Sequence, residues 1–144
     1  YLNELLMRLL ARHDPHPALF DHYRHSLQQL TAATELETAL RLFEMRLLQE
    51  AGYAVQLECD AASGEALNAD TLYDYHLESG PVAVAGDSDS GFVFKGSSLM
   101  AIAREELSDA AVLADAKRLL RAALRLYLGD KPLKSRELFK PLGI

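Results

Sequence analysis

Thr34-Glu35-Leu36-Glu37-Thr38-Ala39-Leu40-Arg41-Leu42-Phe43-Glu44-Met45-Arg46-Leu47-Leu48-Gln49-Glu50-Ala51-Gly52 is the stretch that decides the fold. Leu36, Leu40, Phe43 and Leu47 recur at steps of three and four, the period that lines one face of an α-helix. Thr34, with Glu37 three residues on, reads as a capping box, in which two side chains satisfy the backbone N–H groups that a helix start leaves open. Gly52 stands where a helix end needs a left-handed residue. The reading is a helix with both ends marked and an apolar stripe that needs partners.

Upstream, Leu2, Leu5, Leu6 and Leu9 predict a first helix ending near His13-Asp14-Pro15. Pro17 opens a second, with Leu19, Phe20, Tyr23, Leu27 and Leu30 as its buried stripe. Downstream the texture changes. Residues 55–58 alternate like a strand, and residues 60–70 are rich in turn formers. Residues 72–77, 82–85 and 92–95 are short strand candidates, divided by Ser79-Gly80-Pro81 and Asp87-Ser88-Asp89-Ser90-Gly91. Helix resumes at Ser97-Ser98 with Leu99, Ile102 and Ala103 facing inward. Ser108 or Asp109 then caps a long helix whose apolar face is Val112, Ala116, Leu119, Leu120, Ala123, Leu124 and Tyr127. Gly129 stops it, and a short helix over 135–140 follows.

The expected fold class is therefore mainly α (α+β): a helical bundle over residues 1–54 and 97–144, with a small β-subdomain inserted over 55–96. No apolar run reaches the length of a membrane span, so no membrane partner is expected. The chain starts inside a helical pattern, without an initiator Met, a basic n-region or a cleavage signature. It reads as a piece of a longer protein, and secretion is not indicated. A single cysteine, Cys59, leaves no internal disulfide and suits a reducing cytoplasm.

Net charge is −6, unevenly spread. Lys117, Arg118, Arg121, Arg125, Lys131, Lys134, Arg136 and Lys140 are opposed only by Asp130 and Glu137, so this segment is basic and the rest of the chain strongly acidic. Lys117, Arg121 and Arg125 share a helix face on which no carboxylate lies between residues 116 and 129. Cations near a helix C-terminus gain from the helix dipole, and that alone accounts for some of them. The continuation to Lys140 favours an anionic partner, a phosphate backbone or an acidic peptide.

Other constellations carry less. His13-x2-His16 and His22-x2-His25 have ligand-like spacing but nothing to complete a metal shell, so no metal site is assigned. The acidic run at 87–91 lacks the Gly and Glu a calcium loop needs, because Phe92 and Ser98 hold those positions. No nucleophile elbow, phosphate loop or activated thiol proposes catalysis, so no catalytic residue and no cofactor are named.

Several phrases in one order resemble a known family. They are Tyr1-Leu2-Asn3-Glu4-Leu5-Leu6, Leu19-Phe20-x2-Tyr23, Leu42-Phe43-Glu44-x2-Leu47-Leu48-x3-Gly52-Tyr53, and Tyr127-Leu128-Gly129-x-Lys131-Pro132-Leu133-Lys134-Ser135-Arg136-Glu137-Leu138-Phe139. Together they resemble the C-terminal part of the bacterial recombination mediator RecO. The resemblance implies a helical domain with an inserted β-region, preceded in the family by an OB-fold. It implies DNA binding and strand annealing, work with RecR to load RecA, and docking of the acidic, apolar C-terminal tail of single-stranded DNA-binding protein (SSB). It also implies a place in the cytoplasm, at the bacterial nucleoid.

Carried onto this chain, the resemblance makes Arg41 a candidate for the SSB tail, with Tyr23 and Leu27 as pocket walls and Lys117, Arg121 and Arg125 as the rim. Core packing is the plainer fate for Tyr23 and Leu27. Lys131, Lys134, Arg136 and Lys140 are the DNA candidates. Arg41→Glu is expected to abolish tail binding and to leave helical content intact. Many family members hold zinc with two Cys-x2-Cys pairs. Here Ala62 stands where the partner of Cys59 would be and residues 82–90 have no cysteine, so the zinc-binding cysteines read as lost and Cys59 as a small buried residue. The competing reading is a scaffold that presents the OB-fold and RecR and binds no ligand itself.

Overall fold

The computed structural model describes residues 1–10, 15–29, 33–86, 91–129 and 133–135; the side chains of 27, 29 and 33–35 lie outside that description. The elements are α1 (Leu2–Leu9), α2 (Pro17–Gln29), α3 (Ala33–Glu50), β1 (Leu72–His76), β2 (Gly80–Val84), β3 (Val93–Lys95), α4 (Gly96–Ala103) and α5 (Ala110–Leu128). This is the mainly helical α+β fold that the patterning predicts. By contacts the chain divides into one compact unit of Tyr1–Ala54 with Ala123–Ile144 and a second of Val55–Ala122. Residues 97–122 thus group with the β-region, whereas the sequence-based partition closes that region at 96.

In the first unit α3 carries the core: Ala39, Leu40, Phe43, Leu47 and Leu48 are buried, as are Leu2 and Leu5 of α1 and Leu19 of α2. Burying such side chains contributes on the order of 1.5–3 kcal/mol each before ordering costs. The end of α3 is the predicted one. Gly52 adopts φ 81, its N–H reaches Gln49 O at 3.1 Å, and the Tyr53 N–H reaches Leu48 O at 2.7 Å. That pair of bonds satisfies the carbonyls a helix end leaves open. Tyr53 then stacks on Tyr127 at 4.1 Å.

Three expectations shift. The helix begins at Ala33, so Thr34 lies within it, and the side chain needed for a capping box is outside the described residues. α1 stops at Leu9, because Leu10 is already extended. Phe20 is 60% exposed instead of buried: α2 turns Leu19 and Ser26 inward, and Phe20 lies about 100° round the helix from Leu19.

The second unit is built on an antiparallel sheet of order β2-β1-β3. Tyr73 and Tyr75 of β1 and Phe94 of β3 are buried, alternating with more exposed neighbours as the pleat requires. Gly80 and Pro81 fall inside β2, pairing His76 and Tyr75, so the turn lies at 77–79. Pro81 is tolerated because β2 is an edge strand.

Residues 55–58 do not form the expected strand; Gln56 instead offers its carbonyl to the Tyr75 hydroxyl at 3.0 Å. Gly96 opens α4 against the loop before β1, where an added Cβ would sit 1.8 Å from Asn68 O. Leu99 and Ile102 of α4 are buried, while Ala103 is exposed. Asp109 caps α5 as predicted, accepting from the Ala111 N–H (2.8 Å) and the Val112 N–H (3.1 Å). Ser98 donates to Asp115 at 2.7 Å, tying α4 to α5.

Candidate functional site

Within the first unit α1 and α2 leave an apolar groove of about 590 Å³, lined by Asn3, Leu6, Leu10, Pro15, His16, Pro17, Leu19, Phe20 and Tyr23. Its polar edges are fixed: the Tyr23 hydroxyl donates to Asn3 Oδ1 at 2.7 Å, and His16 Nδ1 lies 3.3 Å from Glu50 Oε2. Phe20 and, on α1, Met7 are strongly exposed for their size. An open apolar cleft with an exposed aromatic is the kind of surface that binds apolar side chains of a partner. Tyr23, nominated from sequence as a pocket wall, does line this groove. Leu27 belongs to α2, but its side chain lies outside the described residues.

Arg41 sits elsewhere in the unit's interior. It is 3% exposed, its Nε lies 3.1 Å from Glu44 Oε2, and its Nη2 donates to Glu44 Oε1 at 3.1 Å. The Tyr1 hydroxyl also donates to Glu44, while Arg41 Nη1 has no hydrogen-bond partner among the described residues. A receptor role for Arg41 therefore requires this pair to open. Arg41→Glu would bury two carboxylates side by side, so the expectation of an undisturbed fold in that variant does not survive.

The cations of α5 are not equivalent. Arg118 is fastened to the second unit: it donates to Val93 O at 2.5 Å, lies 3.3 Å from Asp115 Oδ1, and covers the Phe94 ring at 4.1 Å. Asp115, three residues before Arg118, is a local compensation that a search between 116 and 129 misses. Arg121 and Arg125 are exposed, and Lys117 is half-buried. Arg125 falls in the first unit, Lys117 and Arg121 in the second. Of the DNA candidates, Lys134 is exposed; Lys131, Arg136 and Lys140 lie outside the described residues.

Two carboxylates that sequence reasoning missed organise the loops. Glu4 of α1 accepts from the backbone N–H groups of Lys134 and Ser135, both at 3.0 Å, and from the Ser135 hydroxyl at 2.6 Å. These bonds, the hydroxyl's foremost, hold its pKa down to about 2; Arg8, 3.2 Å away, adds to the effect. Asp60 is buried and accepts from the N–H groups of Ala62 (2.7 Å), Ser63 (3.2 Å) and Ala83 (3.1 Å). The Ala62 bond leads in holding its pKa below the ordinary carboxylate value. Cys59 beside it is exposed, contrary to the expectation of burial, and its backbone bridges Ala66. Among the described residues no three His, Cys, Asp or Glu side chains are grouped to hold a metal ion, and no helix is long and apolar enough to cross a membrane.

The profile of the family described as "Recombination protein O C terminal" matches residues 1–137. A protein named DNA repair protein RecO from Nitrosococcus oceani is 48% identical over 99% of this chain and 58% of its own length. The protein of the same name from Methylococcus capsulatus is 45% identical over 97% of this chain and 57% of its own. For Pseudomonas entomophila the figures are 49%, 97% and 60%. The chain thus spans a little under three fifths of the length of these relatives.

Proposed function

We propose, from the premise that this chain belongs to the recombination protein O C-terminal family, that it serves DNA repair as a binding domain of a recombination mediator. Its work is to dock the SSB C-terminal tail and DNA, so that with RecR the whole protein promotes strand annealing and RecA loading. The relatives' name and the resemblance supply the biology. The observation that carries the docking step is the α1–α2 groove with Phe20 exposed at its edge.

A tail that ends in an apolar aromatic preceded by carboxylates needs an apolar cleft with cations at its margin. The groove provides the cleft, and Tyr23 is its best-placed wall. Arg125 and Arg41 are the proposed cations of this unit, Arg41 only on release from Glu44; Lys117 and Arg121, which fall in the second unit, stay candidates from the resemblance alone. Lys134, with Lys131, Arg136 and Lys140, is the proposed contact to the phosphate backbone.

A fluorescent SSB-tail peptide titrated against the chain tests the first step. Phe20→Glu should weaken binding by at least about tenfold, as expected for a well-packed aromatic at an interface, with helical circular dichroism intact. Equal affinity in that variant overturns the groove as receptor. DNA binding should weaken steeply as salt rises, whatever the sequence of the oligonucleotide. A chain that binds neither peptide nor DNA is the scaffold of the competing reading.

A further inference from the structure

The stretch from Lys131 to Arg136 is a row of cations in the sequence, yet its centre is fastened to α1. Leu133 is buried. The next two N–H groups, of Lys134 and Ser135, and the Ser135 hydroxyl all converge on one carboxylate, that of Glu4. Each oxygen has its own partners: Oε1 takes Lys134 N–H, and Oε2 takes Ser135 N–H and Oγ–H. Arg8, one turn along α1, lies 3.2 Å from Oε1 and adds an ion pair to the same carboxylate. Glu4 is itself set by α1, whose Leu2 and Leu5 are buried. A carboxylate receiving three donors in fixed directions is a bidentate clamp, and charge-assisted bonds of this kind are the stronger class.

We infer that Glu4 is a positioning residue for the cationic C-terminal segment, fixing where residues 133–135 lie and hence where Lys134 presents its charge. The inference rests on the reading of Lys134 as a DNA contact, and it explains why a serine interrupts the cations. Ser135 contributes no charge; it is the donor through which α1 holds the segment. Electrostatics alone would make Glu4 a hindrance, because a carboxylate beside Lys134 repels phosphate. The clamp role predicts the opposite sign on its removal.

The test uses Glu4→Gln and the uncharged change Ser135→Ala in the whole chain, with two readouts. Amide exchange followed by NMR should show protection at Lys134 and Ser135 falling at least about tenfold in Glu4→Gln, with α3 amides unaffected. Affinity for a single-stranded oligonucleotide should fall in the same variant, and the slope of log affinity against log salt should shrink by about one phosphate contact. Ser135→Ala should move both in the same direction by less, and it stands in if Glu4→Gln fails to fold. Unchanged protection in these variants, or DNA affinity that rises in Glu4→Gln, overturns the inference. A wild-type chain without salt-dependent DNA binding overturns the DNA reading alone; the protection measurement still decides whether Glu4 holds the segment.

Discussion

The two units each contain an arginine paired with a carboxylate three residues away on one helix, and the two pairs have opposite consequences. On α3, Arg41 and Glu44 are 3% and 0% exposed; on α5, Arg118 and Asp115 are 44% and 27% exposed. The spacing and the chemical groups are alike, and the N···O distances are close, at 3.1 and 3.3 Å. Burial makes the difference. Water screens the second pair, so its charges are nearly as well solvated apart as together. The first pair has left water altogether, and each member depends on the other to offset its desolvation. The same three-residue spacing, with the order of acid and base reversed, therefore marks a point of fragility in one unit and a minor tie in the other.

The largest effect follows from removing one buried partner. Glu44→Gln leaves the Arg41 charge buried without a counter-charge and should cost about 3–5 kcal/mol in chemical denaturation. Replacing both, as Arg41→Met with Glu44→Leu, should recover most of that loss, since an apolar pair avoids the desolvation penalty. A cost under about 1 kcal/mol for the single change would erase the contrast with the exposed pair.

Arg118→Ala comes next. It removes an exposed ion pair, a bond to the Val93 carbonyl and the guanidinium over Phe94. Together these are worth about 1–2 kcal/mol, most of it from the ring contact and the carbonyl bond. Asp115→Asn, which leaves the ring contact in place, should cost less. If it costs as much, Asp115 contributes more than an exposed pair allows, through Arg118 or through the Ser98 hydroxyl bonded to its other oxygen.

How much of this was legible follows the range of each interaction. α3 and α5 could be read because their apolar stripes, Gly52, Asp109 and Gly129 are local signals. The strand pairings were readable in outline, yet Gly80 and Pro81 looked like a turn and are strand, since an edge position lets Pro81 escape its usual exclusion. The Arg41–Glu44 spacing was visible, but its burial was not, because that depends on how α1 and α2 pack on α3. The periodicity puts Phe20 inside because a five-residue stripe on α2 overstates the face that α3 can cover. Glu4 gave no signal at all: its partners lie 130 and 131 residues away, and no periodicity links them.

A smaller effect tests strain at a helix end. Glu105 ends α4 at φ 61, the left-handed conformation that a side chain disfavours. Its N–H reaches Ile102 O and the Glu106 N–H reaches Ala101 O, the same closure that Gly52 gives α3. Glu105→Gly should therefore stabilise the chain by about 0.5–1 kcal/mol, read as a rise in Tm. A fall would mean that the Glu105 side chain contributes more than its backbone strain costs.

The most local effect is a titration, and it places Glu4 between the two ion pairs: half-buried like Asp115, yet tied to three donors that cannot change charge. Its pKa is lowered from the ordinary 4.5 to about 2. A depressed carboxylate contributes stability that is fully present above the unfolded value and is lost as pH falls through the folded one. The clamp on residues 133–135 should accordingly hold at pH 5 and open progressively towards pH 2. Followed by NMR, the amide shifts of Lys134 and Ser135 should titrate with a midpoint near 2 in the wild type, and Glu4→Gln should abolish that transition. A midpoint near 4.5 would show that the three donors do not favour the ionised form, and that the neighbours of Glu4 are merely close by.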